Sequence, residues 1–305
     1  YSVDAQFNAR KRDWTIKEGS IFDMKDFKVA VIGAGLMGGG IAQTCAQAGY
    51  EVVNIDFYAP ALDKARSNIE KLFDRKIAKG TITEGEKAEI MDRLTYSCDF
   101  GDVKGTGIVI EAVPEKMEIK KDTFKKVDEL ADPDTIIVSN TSALSISEIA
   151  SATGRADKVM GVHFFYPAPV MKLAELIRGI ATSDDTYGKV RAFAIDIKKE
   201  VADCPELPGF IVNRILVPMM NEAAFLVMEG CKPEDVDKAM KLGANHPMGP
   251  LELCDFVGVD IMLATITGLY NGFRDSKYRP CPILENMVKA GHLGRKTGQG
   301  FYQYI

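Results

Sequence analysis

The chain of 305 residues has few of the features that point to a metal site. It has only three histidines, and no two of its six cysteines lie within three residues of each other. Zinc clusters and redox dithiols need closely spaced cysteines, so we expect neither of them and no other metal site. The spacing favours reduced thiols that serve as small apolar residues, which is typical of a cytoplasmic protein.

An excess of charge and a long apolar run are also lacking. The net charge is -5, from 38 basic and 43 acidic residues, so nothing favours nucleic acid or an anionic membrane as a partner. No apolar run approaches the roughly 18 residues that a membrane-spanning helix needs. Residues 1–27 lack the apolar centre of a secretory signal and carry acidic residues that a transit peptide avoids, so we expect a surface extension there.

From Lys28 onward, strand and helix patterns alternate. Strands are predicted at 28–33, 51–56, 107–113 and 135–140, and helices at 36–48, 60–79 and 118–131. This alternation predicts an α/β domain over residues 28–207, doubly wound around a mostly parallel sheet. After the proline-rich stretch 205–208 only helical patterns remain, which predicts an all-helical C-terminal domain over residues 208–305.

A glycine motif joins the first predicted strand to the first predicted helix. "GAGLMG" contains Gly33, Gly35, Leu36, Met37 and Gly38, and its glycines have the G-x-G-x-x-G spacing. The spacing alone is a weak signal, but a strand before it and a helix after it are the context that dinucleotide binding requires. The motif therefore predicts a pyrophosphate site at the helix N-terminus. A glycine-rich turn without a ligand is the alternative.

An acidic residue indicates which dinucleotide binds. Asp56 ends the second predicted strand, 23 residues after Gly33. A carboxylate there accepts hydrogen bonds from the ribose hydroxyls of NAD and repels the 2′-phosphate of NADP. No Arg or Lys occurs at 57–62 to bind that phosphate. We therefore predict NAD as the cofactor, with NADH preferred over NADPH.

The segment "GVHFFYPAPVMKLAELI" places two polar side chains among apolar residues. It contains two strand-like patterns, 158–164 and 170–177, whose proline-rich connection is too short for a crossover helix. The strands should therefore be antiparallel, and a pairing centred on Pro169 puts His163 opposite Glu175. A histidine held by a carboxylate is suited to proton transfer near neutral pH. The alternative is a structural histidine with no role in catalysis.

Seven segments in order indicate a family. They are "GAGLMGGGIAQ", "EAVPEKMEIKK", "SNTSALSI", "GVHFFYPAPVMKLAELI", "PGFIVNRIL", "KLGANHPMGPLEL" and "GRKTGQGFY". Together they resemble the 3-hydroxyacyl-CoA dehydrogenase family, most of all its bacterial 3-hydroxybutyryl-CoA members, from Lys28 to Tyr304. The resemblance implies NAD-dependent, reversible oxidation of an acyl-CoA at C3, with 3-hydroxybutyryl-CoA and acetoacetyl-CoA as substrates. It also implies a Rossmann-like fold for the first domain, and a homodimer that the helical domain helps to form.

The same resemblance implies the roles of individual residues. The catalytic set would be His163, Glu175, Ser142 and Asn213, and the cofactor would also contact Glu115, Lys120 and Asn140. Two of these residues have a purely structural alternative. Ser142 is a possible N-cap for a helix near 145–150, and Asn213 is a possible cap for a neighbouring loop.

The CoA end of the substrate would need positive charge. Arg75 and Lys79 lie four residues apart on one face of a predicted helix, with Lys76 beside them. We expect Arg75 and Lys79 to contact CoA phosphates and Ser142 to contact the acyl end. The alternative for the basic pair is an ordinary solvated helix face.

The sequence departs from the family at two visible positions. Tyr166 stands where the family usually has Asn, and Ala143 replaces the second serine of "SNTSSL". Two other functions stay open. One is a dehydrogenase of free β-hydroxy acids, and the other is a structural protein without activity, as among lens crystallins of this fold. Of the remaining histidines, we expect His246 in a loop and His292 to be exposed.

Overall fold

The computed structural model describes residues 27–304, so all of the predicted extension 1–27 except Phe27 lies outside the described residues. Eight strands are present: β1 Lys28–Ile32, β2 Val52–Ile55, β3 Leu94–Ser97, β4 Thr106–Glu111, β5 Ile136–Ser139, β6 Val159–Phe164, β7 Leu173–Arg178 and β8 Glu200–Cys204. Eleven α-helices accompany them: α1 Leu36–Gln47, α2 Ala59–Ala78, α3 Glu84–Asp92, α4 Met117–Leu130, α5 Ile146–Ala150, α6 Asp184–Asp196, α7 Val212–Met228, α8 Pro233–Gly243, α9 Pro250–Val257, α10 Val259–Phe273 and α11 Pro282–Lys289.

All eight strands form one sheet in the order β3-β2-β1-β4-β5-β6-β7-β8. Neighbours are parallel except for β6 and β7, which are antiparallel. The prediction of a doubly wound, mostly parallel sheet is confirmed. β3 and β8 were not predicted, because both are short and each has only one buried residue. Neither strand therefore has the continuous apolar run by which the central strands are recognised.

The sheet is covered on both faces, as its apolar central strands require. Along β1, Val29 and Val31 pack into the core on one side, whereas Ala30 and Ile32 pack into the core on the other. This alternation follows from the two-residue period of a strand. Because β1, β2, β4 and β5 are parallel, their C-terminal ends lie at one edge of the sheet.

The rest of the chain is helical, as predicted. Helices α7, α9, α10 and α11 enclose a separate apolar core that includes Val217, Cys254, Met262, Ile266 and Leu284. Beyond Ile211, the described residues have no β-strand, only the isolated bridges from Gly294 to Gln299 and from Gln299 to Gln303. In the described part, no single helix is long and apolar enough to cross a membrane; by length and composition alone a pair bent by 102°, α9 with α10, would pass.

Smaller predictions had mixed outcomes. His246 lies in the loop between α8 and α9, as predicted. His292 was predicted to be exposed, and this is wrong: it is half-buried, because the chain folds back after α11 and its backbone N–H donates to the carbonyl of Met287 at 2.9 Å. Four cysteines are buried, whereas Cys98 and Cys231 are exposed.

Candidate functional site

The glycine turn after β1 has the shape that the motif predicts. Gly33 has φ +101, and a Cβ there would lie 2.5 Å from the carbonyl oxygen of Ala112. A Cβ on Gly38 would lie 1.9 Å from the carbonyl oxygen of Gly33, so neither position accepts a side chain. A Cβ on Gly35, by contrast, would meet nothing within 4 Å. The backbone at Gly35 therefore faces open space, where a ligand can approach closely.

Two polar side chains on or next to β2 hold this turn. The buried Asn54 donates to the carbonyl oxygens of Val31 at 3.0 Å and Gly33 at 2.9 Å. Asp56 accepts the backbone N–H of Ala34 through Oδ2 at 2.7 Å. Sequence reasoning found Asp56 but missed Asn54. The signal was a polar residue inside an apolar strand, because such a group is buried only with partners.

The first turn of α1 completes a cradle for a dinucleotide. Leu36 is 66% exposed at the helix start, and Met37 is half-buried against the core of the sheet. The first turn of α1 has no acidic residue, so its free backbone N–H groups favour an anion. The open backbone at Gly35 and the carboxylate of Asp56 at the edge of the turn fit the pyrophosphate and the ribose of NAD.

A second polar cluster lies after β4, and sequence reasoning missed its central residue. Glu111 is fully buried. It accepts from Lys120 Nζ at 2.7 Å, from Ser139 Oγ at 2.7 Å and from the backbone N–H of Val113 at 2.8 Å. The ion pair of Glu111 with Lys120 anchors α4 to the end of β4, and the hydrogen bond from Ser139 joins the end of β5 to the same carboxylate.

Lys120 also contacts Glu115, at 3.2 Å from its Oε2. Oε1 of Glu115 accepts from Thr141 Oγ1 at 2.5 Å and from the backbone N–H of Ser142 at 2.8 Å. Burial raises the pKa of Glu115, but the Lys120 ammonium and the hydrogen bonds from Thr141 and Ser142 outweigh it, so this pKa lies below its ordinary value. Glu115 is therefore an anion that holds the loop after β5.

Ser142 does not cap the helix that follows it. The N-cap of α5 is Ser145, whose hydroxyl accepts from the backbone N–H of Glu148 at 3.1 Å. The capping alternative for Ser142 is thus wrong, since the helix begins three residues later. The hydroxyl of the half-buried Ser142 instead donates to Glu115 Oε1 at 3.2 Å.

Asn140 joins the end of β5 to the end of β6. Its side-chain oxygen accepts from the backbone N–H of Phe164 at 2.9 Å. The backbone N–H of Asn140 donates to the backbone carbonyl of Glu111 at 2.8 Å. The contact brings the loop with Ser142 beside the strand with His163.

The predicted pairing of His163 with Glu175 is confirmed by the register of β6 and β7. The side chains meet directly, with His163 Nδ1 2.7 Å from Glu175 Oε2. Glu175 is fully buried, and His163 is 7% exposed. The ring of His163 lies 4.4 Å from that of Phe165 and 5.7 Å from that of Phe210. Among the described residues, Nε2 of His163 has no hydrogen-bond partner, so this nitrogen is available to a ligand.

The other oxygen of Glu175 fixes the start of the helical part. Oε1 accepts the backbone N–H groups of Ile211 at 3.0 Å and Val212 at 2.9 Å, where α7 begins. Burial raises the pKa of Glu175, but the hydrogen bonds from His163 and Val212 outweigh it, so this pKa lies below its ordinary value. Asn213 follows in the first turn of α7. In the part of the chain that the structure describes, its side chain makes no hydrogen bond, so no contact supports its capping alternative.

A cavity of about 750 Å³ lies beside the glycine turn. Helices α1 and α2 form one side of it, and residues 166–170, which join β6 to β7, form the other. Leu72 of α2 belongs to its lining, whereas Arg75 and Lys79 are exposed beyond it at the end of the helix. Arg75 and Lys79 therefore stand apart from the polar cluster of Glu115, Ser142 and Asn140.

Comparison with known proteins agrees with this geometry. Residues 28–206 match the NAD binding domain of 3-hydroxyacyl-CoA dehydrogenase, and residues 209–304 match the C-terminal domain of the same family. The probable 3-hydroxybutyryl-CoA dehydrogenase of Bacillus subtilis is 47% identical over 278 residues, which cover 91% of this chain and 97% of that protein. Human mitochondrial hydroxyacyl-coenzyme A dehydrogenase is 42% identical over 285 residues, 90% of each chain. The crystal structure of (S)-3-hydroxybutyryl-CoA dehydrogenase from Ralstonia eutropha superposes with a TM-score of 0.88 at 46% identity, covering 91% of this chain and 99% of that one.

Proposed function

The chain belongs to the 3-hydroxyacyl-CoA dehydrogenase family of oxidoreductases, and on this premise we propose that it interconverts 3-hydroxybutyryl-CoA and acetoacetyl-CoA with NAD. Relatives at 47% and 48% identity that are named 3-hydroxybutyryl-CoA dehydrogenase support the choice of a short acyl chain. The observation that carries the proposal is the buried pair of His163 and Glu175, 2.7 Å apart at the ends of two paired strands.

His163 acts as the base when the alcohol is oxidised. NAD, when bound, accepts the hydride that leaves C3. His163 Nε2 removes the proton of the 3-hydroxyl, and the same nitrogen returns it during reduction. Glu175 keeps the proton on Nδ1, which leaves Nε2 unprotonated and ready, and its negative charge stabilises the imidazolium that forms.

The neighbouring polar residues orient the substrate. The hydroxyl of Ser142 has one proton, so on substrate binding it exchanges its hydrogen bond to Glu115 Oε1 for one to the reacting oxygen. Glu115 with Lys120 holds the loop of Ser142 beside the nicotinamide end of the cofactor. Asn213, in the first turn of α7, orients the substrate from the helical side. Asn140 lies between these groups through its contact with Phe164. Each of these residues lies in a loop that follows a strand or in the first turn of a helix, next to a rigid element that fixes its position.

The cavity between α2 and residues 166–170 receives the pantetheine arm of CoA. The cavity extends from the loop after His163 to Leu72 of α2, and Arg75 lies in the next turn of that helix. Arg75 and Lys79 then bind the CoA phosphates from the exposed end of α2. Tyr166 lines this cavity and is 53% exposed, so it contacts the arm near the reacting end.

The preference for NADH over NADPH is part of the proposal, and Asp56 is its cause. We also propose a boundary between the two domains at residues 207 and 208, and a homodimer formed through the helical part. Ile215, Leu242 and Ile261 of α7, α8 and α10 are 68%, 78% and 51% exposed, and a second copy would cover them. Light scattering measures this assembly directly. The cytoplasmic location expected from the cysteine spacing stays a prediction.

The test is NADH oxidation with acetoacetyl-CoA by the wild type and by His163→Ala. We expect rapid turnover by the wild type and a loss of kcat by about 10²-fold or more in the variant, with an unchanged circular dichroism spectrum. Turnover that survives the substitution would remove His163 as the base.

Two further measurements separate the other functions. Turnover of free acetoacetate without turnover of its CoA thioester would favour a dehydrogenase of free β-hydroxy acids. NADH binding without turnover of any acyl-CoA would favour a structural protein, and the proposed function would be wrong.

A further inference from the structure

Lys199 is a buried cation without an acidic partner. It is 6% exposed, and among residues 27–304 its ammonium forms no ion pair and donates to backbone carbonyl oxygens. The titratable side chain near it is the thiol of Cys45, whose burial raises the pKa to about 12, so this thiol carries no negative charge at neutral pH. Burying a charge in such surroundings is unfavourable unless its hydrogen bonds are satisfied. The partners of Lys199 therefore indicate its purpose.

Those partners are two carbonyl groups of one loop. Lys199 Nζ donates to the carbonyl oxygen of Ala168 at 2.5 Å and to that of Met171 at 2.8 Å. The two acceptors lie on either side of Pro169 and Val170, in the connection from β6 to β7. This connection begins two residues after His163, and Glu175 lies in β7, the strand that follows it. The lysine therefore holds the chain between the two members of the proposed catalytic pair.

Few hydrogen bonds within the connection hold its shape, although Ala168 packs into the core of the sheet. Pro167 and Pro169 have no N–H, and its internal backbone bonds run from Val170 and Met171 to the single carbonyl of Pro167, at 2.9 and 3.0 Å. The carbonyl of Ala168, which is 1% exposed, needs a donor from outside the connection, because a buried carbonyl without one is unfavourable. The carbonyl of Met171, which is 40% exposed, accepts from the same ammonium. A lysine supplies donors for both from one atom, which an apolar residue of similar length cannot do.

The backbone around Lys199 is built to bring it under the connection. Lys198 has φ +64 and ends the turn after α6, and the N–H of Lys199 donates to the carbonyl of Ala194 at 2.9 Å. The next residue, Glu200, starts β8 by donating to the carbonyl of Lys172 at 2.8 Å. Lys199 thus lies immediately before the edge strand β8, where its side chain reaches residues 168–171.

The held connection is also one side of the cavity. Residues 166–170 line it opposite α1 and α2, and Ala168 and Pro169 approach Gly40 of α1 so closely that a Cβ there would lie 3.4 Å from each. A shift of this connection changes the width of the cavity, whereas the glycine turn is fixed by its own contacts with Asn54 and Asp56. Lys199 therefore acts on the side of the cavity opposite the glycine turn, and the contacts that fix the turn do not involve it.

We propose that Lys199 is a positioning residue for the acyl-CoA substrate: its two hydrogen bonds hold residues 168–171 in the shape that receives the pantetheine arm. The inference rests on the proposed function. It assigns a specific role to a residue that touches neither the reacting atoms nor the cofactor.

The test compares Lys199→Met with Lys172→Met, a matched control in which an exposed lysine beside the same connection loses its charge. We expect Lys199→Met to raise KM for acetoacetyl-CoA by about 10-fold, because small misplacements of a binding group cost that much or more, and to change KM for NADH less than about twofold. The control should leave both constants at their wild-type values. Equal KM values for acetoacetyl-CoA in the two variants would overturn the proposal. An equal rise of KM for acetoacetyl-CoA and of KM for NADH in Lys199→Met would overturn it as well.

Hydrogen exchange provides a second reading that needs no turnover. In the protein without ligand, the amides of Val170 and Met171 should exchange faster in Lys199→Met than in the wild type or the control, and unchanged exchange would overturn the proposal. If Lys199→Met does not fold, Lys199→Gln, which keeps one N–H donor group, takes its place and should show a smaller shift in the same direction. Failure of the wild type to turn over acetoacetyl-CoA would count against the proposed function, whereas the exchange of the two amides still decides whether Lys199 holds the connection.

Discussion

Glu175 and Glu111 are both fully buried near strand ends of one sheet, yet their partners give them different properties. Glu175 pairs with His163 and with two backbone N–H groups at the start of α7. Glu111 pairs with Lys120, with Ser139 and with one backbone N–H group. A histidine changes its charge near neutral pH, whereas a lysine paired with a carboxylate stays charged.

The difference teaches that burial of a carboxylate does not by itself indicate catalysis. In the proposed mechanism Glu175 prepares His163 to gain and lose a proton, which suits an imidazole near neutral pH. Glu111 instead joins a helix to the ends of two strands through Lys120 and Ser139. On that proposal, the same residue type in the same kind of position serves chemistry in one case and architecture in the other.

Substitution of Glu175 should have the largest effect on the chemistry. In Glu175→Gln the amide no longer keeps the proton on Nδ1, so we expect kcat to fall by about 10³-fold. KM for NADH should change little, and steady-state kinetics measures both constants. If kcat stayed within about tenfold of the wild type, Glu175 would resemble Glu111 in its role and the comparison would fail.

Substitution of Lys120 should act on stability first. Lys120→Met leaves Glu111 buried without its cation, so the free energy of unfolding should fall by about 3 kcal/mol, as measured by urea denaturation. The matched control is Lys121→Met, whose ion pair with Glu148 has side chains 35% and 50% exposed and should contribute only a small fraction of that loss. Equal free energies of unfolding for the two variants would show that the buried ion pair contributes no more to stability than the exposed one.

Asp56 extends the comparison to a half-buried carboxylate beside the proposed cofactor site. Asp56→Ser removes the charge that repels a 2′-phosphate, so the ratio of kcat/KM for NADPH to that for NADH should rise by about 10-fold. Asp63→Ser, which removes an exposed carboxylate from α2, should leave the ratio unchanged. A wild type that used NADPH as well as NADH would refute the cofactor preference.

Lys79 is exposed, and its effect should be the smallest of the four. Lys79→Ala should raise KM for acetoacetyl-CoA by about fivefold with an unchanged KM for NADH, since one exposed phosphate contact contributes modestly. Lys71→Ala removes another exposed lysine of α2 and serves as the control. Identical KM values for the wild type and Lys79→Ala would remove this lysine from the CoA site.

Much of this arrangement was predictable because its causes are local. The glycine turn needs only a strand, a helix and three glycines at fixed spacing, and all of these are contiguous in the chain. The opposition of His163 and Glu175 follows from a short proline-containing connection, which leaves an antiparallel pair as the only arrangement. β3 and β8 escaped prediction, because edge strands bury too little apolar surface to show a pattern.

The sequence by itself therefore determined the α/β order of the chain, the nucleotide turn and the facing histidine and glutamate, since each depends on neighbours in the chain. Only the tertiary structure decided which buried polar groups from separate elements come into contact. Glu111 with Ser139, Asn54 with Gly33, and Lys199 with Ala168 are contacts between separate elements. No periodicity encodes them, because each requires the sheet to be assembled before its partners come within hydrogen-bond distance.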